Sequence, residues 1–426
     1  MDADPHITPI EYVTADLPGI GGVLKQRPED FLVEEIPLYE PSGAGEHFYL
    51  FVQKREMTTL ELVGKIAKHF GVSRRAVGYA GLKDKHAITR QVLSIHMPGR
   101  KLDEFPLFEH HHATVLWAAL HSNKLRRGHL KGNRFSIRVR EVDATGAVGA
   151  KRVLDVLEAV GVANRVGEQR FGILKNNHLI GAAIIVGDHQ RAIDLLVGPG
   201  DACGDNHAES RGLYAQGRYA DAARLLPRGM RPERAVLSAL ARGMPADRAV
   251  RTIETSVLSF FFSAFQSAAF NDVLDTRITE GALGQLRDGD VAFLHGNRAQ
   301  FDVDEQVMAD PTTEGRLASF EISPSGPMWG AGMKRARGQT GDTELGALGT
   351  LGVSTEELDA FASQSMTSMS GDRRPLRVPL IDPEVEGGID EHGHYVRCAF
   401  ELPRGSFATV VMDEMMKSRR VAEAGA

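Results

Sequence analysis

One carboxylate stands among cations in residues 81–91, which read Gly-Leu-Lys-Asp-Lys-His-Ala-Ile-Thr-Arg-Gln. Asp84 lies between Lys83 and Lys85, and Arg90 follows in the same segment. Nearby positive charges favour the ionised form of a carboxyl group. An ionised carboxylate can act as a nucleophile, and the cations around it can contact a phosphate backbone. A solvated charged turn has the same composition, so charge alone leaves both interpretations open.

A second group of cations lies between residues 110 and 140, where the chain carries no Asp or Glu. The whole protein is acidic, with 50 Lys and Arg, 56 Asp and Glu and a formal net charge of −6. A local basic run in an acidic chain indicates phosphate contact, with a solvated surface as the alternative. The run comprises Lys124, Arg126, Arg127, Lys131, Arg134, Arg138 and Arg140, of which the first five are the candidates for phosphate contact.

Other patterns argue against several classes of site. Residues 110–112 are three histidines, but consecutive residues point to different sides of an element, and no acidic or cysteine partner is spaced to complete a metal site. Cys203 and Cys398 form no CxxC pair, which favours a reducing cytoplasm over a disulfide framework. No GxxxxGK[ST], dinucleotide-binding, GxSxG or HExxH motif occurs, so the sequence predicts no metal, nucleoside triphosphate or NAD site.

Length and composition indicate a folded protein of two domains. The chain has 426 residues, of which 42% are hydrophobic and 25% charged, close to globular averages. The acidic, proline-containing residues 1–5 do not resemble a signal peptide. The longest apolar stretch recognised, residues 179–187, is shorter than the roughly 20 residues of a membrane helix. We therefore expect no membrane span and a cytoplasmic location.

The N-terminal part of the sequence predicts short strands with two helices. Residues 58–61, Thr-Thr-Leu-Glu, match a capping box, and apolar residues follow at helical spacing until Gly71. A short amphipathic helix is expected over residues 153–160, ending at Gly161. Strands are expected at residues 23–25, 31–35, 48–52, 77–81 and 90–96.

Helical patterns dominate from about residue 162 to residue 380. The phenylalanines of residues 260–270 recur at helical spacing, which favours a core helix over a base-stacking platform. Strand and turn character returns at residues 395–402 and 407–412. This order predicts a helical middle part inserted into a discontinuous first domain. The helices expected are at residues 218–226, 232–241 and 255–277.

Seven segments, in the same order, resemble the TruD family of tRNA pseudouridine synthases between residues 25 and 412. Residues 81–91 are similar to the nucleophile motif of that family, with Asp84 at the catalytic aspartate. Two departures stand out: residues 173–250 make the insert longer than in the shorter bacterial relatives, and Arg165 stands with Val166 where an aromatic residue is common. The other matching segments are residues 28–35, 130–135, 164–172, 263–271, 322–328 and 402–409.

The resemblance implies an α+β fold of two domains. Residues 1–161 and 381–426 would form a discontinuous pseudouridine synthase catalytic domain around a mixed, mostly antiparallel sheet. Residues 162–380 would form an inserted, largely helical α+β TRUD domain. The family further implies isomerisation of uridine to pseudouridine in tRNA, typically at position 13 of the D-arm, with neither metal nor organic cofactor.

The same resemblance assigns expected roles to individual residues. Asp84 would attack C1′ of the ribose or assist formation of a glycal by taking a ribose proton, and the sequence leaves both routes open. An aromatic face can stack a flipped base, and an amide can hydrogen-bond a uracil edge or the ribose. The five basic candidates would contact the RNA backbone. The residues expected at the target nucleotide are Phe31, Asn133 and Phe407, with Lys25 and Lys83 as further candidates.

A second hypothesis is a non-catalytic structured-RNA binding protein or tRNA chaperone. The partner would then be tRNA or another structured RNA, held by stacking aromatic residues and basic patches. Asp84 among cations favours the enzyme, because a binding module does not need a carboxylate there. No feature of the sequence requires a protein partner or an oligomer.

Overall fold

The computed structural model describes residues 11–200, 206–364 and 369–418 of the chain. The chain divides into two compact units. The first comprises Val13–Val162 and Val378–Ala426, and the second comprises Ala163–Arg377 with the segment that ends at Tyr12. The main segment of the second unit thus starts at residue 163 and ends at residue 377. The sequence analysis expects the insert to start at residue 162 and end at residue 380. Cys203 and residues 1–5 lie outside the described residues.

A nine-stranded sheet forms the centre of the first unit. Phe48, Leu50 and Val52 occupy every second position of one strand, so they share one face of the sheet. They pack with Leu62 and Ile66 of the first helix, which covers that face. The N-terminal piece contributes β1 (Phe31–Pro37), β2 (His47–Arg55), α1 (Thr59–His69), β3 (Val77–Tyr79), β4 (Ile88–His96), β5 (Glu109–His110), β6 (Ala113–His121), β7 (Leu130–Arg140) and α2 (Ala147–Val160).

Helices make up most of the second unit, as the sequence predicts. They pack with a four-stranded sheet of order β10-β9-β11-β12, while β8 pairs with β13. In chain order the elements are β8 (Val162–Ala163), α3 (Asn177–Ile185), α4 (His189–Val197), α5 (Ala208–Ala215), α6 (Tyr219–Leu225), α7 (Arg231–Ala241), α8 (Ala246–Val250), α9 (Thr255–Thr279), β9 (Val291–Leu294), β10 (Gln300–Asp302), α10 (Glu305–Ala309), α11 (Thr313–Ala318), β11 (Ile322–Met328), α12 (Gly338–Thr350), α13 (Thr355–Gln364), β12 (Asp372–Pro375) and β13 (Arg377–Val378).

The phenylalanine-rich segment lies in helix α9, and its prediction as core is confirmed. Phe261, Phe262, Phe265 and Phe270 are buried, whereas Phe260 is partly exposed. By length and composition alone, α9 is also long and apolar enough to cross a membrane, which the sequence analysis did not recognise. Half of its most apolar window is buried inside the structure, as expected of a core helix.

The last piece of the chain completes the sheet of the first unit with β14 (Ile381–Asp390) and β15 (Gly393–Pro403), followed by α14 (Ala408–Met416). The strand order is β14-β15-β7-β1-β4-β2-β6-β5, with β3 paired to β4. Only β1 and β4 pair in parallel, and the other described pairs of this sheet are antiparallel. The predicted α+β fold with a mixed, mostly antiparallel sheet is confirmed.

Two strand predictions are wrong. Residues 23–25 make only an isolated bridge to β7, because Lys25 has a left-handed φ of 57° that an extended strand does not allow. Phe407 is instead the N-cap residue of helix α14, and residues 408–412 form the first part of that helix. There, burial of Val411 and Met415 at a spacing of four residues favours a helix over the strand propensity of a β-branched segment.

Helix α1 begins as the sequence predicts. The Thr58 side chain accepts a hydrogen bond from the Glu61 backbone N–H, and the Glu61 carboxylate accepts one from the Thr58 backbone N–H at 2.7 Å. The helix is followed by Gly71, whose φ is +67°. The capping box therefore fixes the position of Thr59, the first residue of the helix.

We expect Thr58→Ala to lower the free energy of unfolding by about 1 kcal/mol, because the Glu61 backbone N–H loses its side-chain acceptor. Urea unfolding followed by tryptophan fluorescence measures the change. Thr58→Ser is the matched control, since it keeps the hydroxyl group and should unfold like the wild type. Equal unfolding midpoints for the alanine and serine variants would contradict the capping role.

Candidate active site

Asp84 lies in the loop between β3 and β4, with its side chain 50% exposed. The Lys25 ammonium is 2.9 Å from Asp84 Oδ2 and forms an ion pair with it. Arg90, which the sequence places near Asp84, instead forms an ion pair with Glu34 at 2.7 Å on the neighbouring strand. The carboxylate is therefore open to a ligand and has one direct cationic partner among the described residues.

Lys54 holds the backbone of this loop from inside the protein. It continues the buried face of β2 and is only 1% exposed. Its Nζ donates to the carbonyl oxygen of Asp84 at 2.7 Å and to that of Lys83 at 3.5 Å. Burial lowers the pKa of Lys54 to about 8, and the charge of Asp84 opposes this shift. Residue 84 is thus fixed through its main chain while its carboxylate faces outward.

Lys83 anchors the same loop to the sheet. Its Nζ lies 3.2 Å from Glu35 Oε2 and donates to Asn133 Oδ1 at 2.5 Å. Glu35 and Asn133 are direct partners in the antiparallel pairing of β1 and β7, so one ammonium reaches both. Burial raises the pKa of Glu35, and the Lys83 charge opposes the shift. The Lys83 backbone N–H also donates to Thr59 Oγ1 at 2.9 Å, at the start of α1.

Phe31 lies at the start of β1, where only 3% of it is exposed. The Lys25 Nζ lies 4.4 Å from the centroid of its ring, a cation–π contact. Lys25 thus contacts both Phe31 and Asp84, and its left-handed backbone turns the chain at this point. The structure brings together five of the predicted site residues, which are Lys25, Phe31, Lys83, Asp84 and Asn133.

Phe407 is the N-cap residue of α14 and is 41% exposed. It follows β15, in which Leu402 is the direct partner of Asn133. The chain therefore leaves the sheet beside Asn133 and reaches Phe407 five residues later. No described contact links Phe407 to Asp84.

Ion pairs divide the basic run into two groups. Arg134 donates to Glu401, its direct partner across β7 and β15, and both Arg138 and Arg140 pair with Asp390. These partners come from the distant C-terminal strands, so the run is less basic than its sequence suggests. The cations that form no ion pair with a described residue are Lys124, Arg126, Arg127 and Lys131.

Three residues that hold the loop escaped the sequence analysis: Lys54, Glu35 and Thr59. A signal for the first two exists in the strand periodicity. Lys54 follows Phe48, Leu50 and Val52 at every second position of β2, and Glu35 continues the buried positions of β1 in the same way. A charged residue at a buried strand position needs a partner, and such residues are candidates for a functional site.

The described residues contain no group of three or more His, Cys, Asp and Glu side chains placed to hold a metal ion. The rings of His110 and His111 stack with centroids 4.5 Å apart, and those of His111 and His112 are 4.3 Å apart. The chemistry available at the loop is that of a fixed, accessible carboxylate beside an amide and an aromatic ring. The carboxylate can attack an electrophilic carbon of a ligand, while the aromatic ring stacks on the base of that ligand and the amide hydrogen-bonds to it.

Comparison with known proteins places almost the full length of the chain in one family. The family model described as tRNA pseudouridine synthase D (TruD) matches residues 8–415. The tRNA pseudouridine synthase D of Geobacter sulfurreducens is 42% identical over 420 residues, covering 98% of each chain. That of Syntrophotalea carbinolica is 40% identical over 410 residues, covering 96% of this chain and 99% of the relative.

A solved structure agrees with these matches. A crystal structure from Methanosarcina mazei, assigned to tRNA pseudouridine synthase D, superposes with a TM-score of 0.82 at 27% identity and covers 95% of each chain. The fold and the sequence therefore give the same result along almost the full length. The chain belongs to the TruD family of tRNA pseudouridine synthases.

Proposed function

We propose that this protein isomerises uridine to pseudouridine in tRNA, at position 13 of the D-arm, with Asp84 as the nucleophile. The observation that carries the proposal is the loop of Asp84, which two buried lysines fix while the carboxylate stays accessible. The unit containing Val13–Val162 would be the catalytic domain, and the unit containing Ala163–Arg377 would be the inserted TRUD domain. A reducing cytoplasm suits the free, buried thiol of Cys398.

The reaction breaks the bond from N1 of uracil to C1′ and forms one from C5 to C1′. It needs no redox partner and no net hydrolysis, so a single carboxylate can begin it. Asp84 attacks C1′, or takes a ribose proton to form a glycal, and the detached uracil turns before C5 rejoins the sugar. As C5 bonds to C1′, the Asp84 carboxylate leaves C1′ or, in the glycal route, the ribose regains its proton. C5 then loses its proton and N1 gains one, so the product is an isomer of the substrate. Lys54 contributes by keeping the main chain of residue 84 in place during these steps.

The target nucleotide would be held by Phe31, Asn133 and Phe407. Asn133 can present its amide to uracil or ribose, because Lys83 fixes its side-chain orientation. For a base to stack on Phe31, Lys25 has to leave the face of the ring, from whose centroid its Nζ lies 4.4 Å. Lys25 would then be available to the substrate beside Asp84.

Asp84→Ala should abolish pseudouridine formation, with a loss of about a thousandfold or more, while tRNA binding is retained. The measurement is carbodiimide-based primer extension on an unmodified tRNA transcript, with binding measured in parallel. Asp84→Asn is the matched control for shape, and it should be as inactive as the alanine variant. Pseudouridine made by Asp84→Ala would exclude Asp84 as the nucleophile. Binding without product in the wild type would favour the chaperone hypothesis.

The proposed contacts with the RNA backbone are the four cations that form no ion pair with a described residue: Lys124, Arg126, Arg127 and Lys131. Replacing any one of them with alanine should reduce the slope of log binding constant against log salt by about 0.7 to 0.9, because each released phosphate contact contributes that amount. Arg134→Ala is the control, since Glu401 already pairs with that guanidinium. Equal slopes for all five variants and the wild type would refute the proposed patch.

Lys54→Met should lower kcat between about tenfold and a hundredfold, because the Asp84 loop loses its internal donor. In the wild type we expect kcat to fall as the pH rises through about 8, where Lys54 loses its proton. Lys54→Met should lack this alkaline decline. Lys68→Met, an exposed lysine of α1, is the control and should keep the wild-type profile.

Stability changes in the opposite direction over the same pH range. Because the pKa of Lys54 is lower in the folded protein than the ordinary 10.5, the unfolded chain binds more protons between pH 8 and 10.5. The contribution of Lys54 to stability therefore rises with pH there, so unfolding does not explain a loss of activity. An alkaline decline that persists in Lys54→Met would contradict the role proposed for this lysine.

A further inference from the structure

Strand β2 carries side chains on both of its faces, and those that point away from α1 line a depression in the first unit. Tyr49 alternates with Phe48 and Leu50, which pack with α1, so it points to the opposite side of the sheet. Glu35, the ion-pair partner of Lys83, also lines the depression. The depression is therefore adjacent to the candidate active site. Its other lining residues include Leu38, Tyr39, Trp117, Leu125 and His129.

An irregularity of strand β6 positions Trp117. Val115 pairs with Val52 and Trp117 pairs with Phe51, which leaves Leu116 as one extra residue between the two pairs. Such a β-bulge changes the direction in which the following side chain points. In a regular ladder Leu116, and not Trp117, would stand opposite Phe51. The bulge thus brings the indole beside Phe51, where the two rings stack with centroids 5.3 Å apart and an angle of 21° between their planes.

Trp117 keeps 36% of its surface exposed although it stacks on Phe51. Leu38, in the same depression, is 52% exposed. Exposed apolar side chains that lie together mark binding surfaces, whereas scattered ones need no explanation. Phe51 occupies one face of the indole, so a ring of a ligand can stack on the other. Because Phe51 and the bulge already fix the indole, such stacking costs little side-chain entropy.

The depression is too small to enclose a nucleobase. Its free volume of about 10 Å³ is room for about one water molecule. A ring of a ligand therefore has to lie against the exposed part of the indole, at the surface. This geometry suits the stacking of one base of a longer chain rather than the capture of a free nucleotide.

Positive charge borders the depression. Lys124 and Arg126 flank Leu125 in the chain, and Lys131 lies two residues after His129. None of these three cations forms an ion pair with a described residue. Proteins bind single-stranded nucleic acid with this combination, because the cations meet phosphates while an aromatic ring stacks on a base.

We propose that Trp117 is a stacking platform for an unpaired base of the substrate tRNA. The platform rests on the function proposed above, because tRNA is its ligand. Unpaired bases of RNA expose faces on which an aromatic side chain can stack, whereas the bases inside a duplex do not. The cations beside the depression hold the phosphates of the same strand.

The outer edge of β6 also offers a site for a strand of another chain. Strand β5 pairs with Ala113 and Thr114, and from Val115 onward no described strand pairs with that edge. Two copies of this chain that met through the edge would bring the same basic residues together in a symmetric interface, where like charges are unfavourable. Charge therefore favours RNA, which is anionic, over a second copy.

The test compares Trp117→Leu with Trp117→Tyr. Leucine keeps an apolar side chain but removes the ring, so the dissociation constant for an unmodified tRNA transcript should rise about fivefold to a hundredfold, the loss expected for one stacked base. Tyrosine is the matched control, because it keeps an aromatic face and should bind tRNA within about threefold of the wild type. Equal weakening by the two variants would overturn the platform.

The salt dependence of binding separates stacking from phosphate contact. Trp117→Leu should weaken binding without changing the slope of log binding constant against log salt, because stacking releases no counterions. Arg126→Ala should lower that slope, as proposed above for the basic residues. A slope that Trp117→Leu lowers as much as Arg126→Ala does would assign the loss to displaced cations and overturn the stacking role.

Trp117 also reports the contact directly. The chain contains two tryptophans, and the other, Trp329, is 1% exposed. Saturating tRNA should quench part of the tryptophan fluorescence of the wild type and none of that of Trp117→Tyr, which retains Trp329 alone. A fully paired RNA duplex should leave the wild-type emission unchanged, because it offers no unpaired base. Unchanged wild-type emission at saturating tRNA would refute the platform.

Three further outcomes separate the platform from the reaction and from self-association, with both variants also tested in an Asp84→Ala background. Product formation by the wild type together with unchanged tRNA binding by Trp117→Leu would refute the platform alone. Weaker binding by Trp117→Leu in a protein that forms no pseudouridine would support the platform and refute the proposed reaction. A wild-type dimer in analytical ultracentrifugation that Trp117→Leu dissociates, with tRNA binding unchanged, would assign this surface to a second copy and overturn the proposal.

Discussion

Two ammonium groups inside the first unit determine the geometry of the candidate site. Lys54 binds the main chain of residues 83 and 84, and Lys83 binds Glu35 and Asn133. Burying two lysines is costly, and hydrogen bonds to carbonyl, amide and carboxylate oxygens offset that cost. Because these groups hold the loop, the carboxylate of Asp84 stays half exposed, with Lys25 as its ion-pair partner.

The sheet supplies the partners of these lysines in the right places. The parallel pairing of β1 and β4 places Glu35 beside the strand that follows the Asp84 loop. The antiparallel pairing of β1 and β7 sets Asn133 opposite Glu35. Helix α1 adds Thr59, whose hydroxyl accepts the Lys83 N–H and donates to Gln91 at 2.9 Å. Groups from β1, β2, β7 and α1 thus hold the loop of Asp84 in place.

The sequence allowed prediction of the residue types of the site but not their partners. Asp84 was recognisable from the cations next to it in sequence. The capping box of α1 was recognisable from four consecutive residues. Pairing of Lys83 with Glu35 depends on strand register, and that of Arg134 with Glu401 joins residues 267 positions apart. Neither follows from local pattern. Helix α14 was mistaken for a strand for the same reason, because burial within the tertiary structure outweighed the local preference.

Lys54 also has a consequence for how the sheet folds. Side chains of a strand alternate between faces, so a slip of β2 by one residue would move Phe48, Leu50 and Val52 out of the core. The same slip would separate the Lys54 ammonium from the carbonyl oxygens that satisfy it. Incorrect pairings of β2 thus lose both apolar burial and hydrogen bonds, and the energy gap between the native register and its neighbours widens. The residue that orders the loop therefore also acts against misfolding of the strand that carries it.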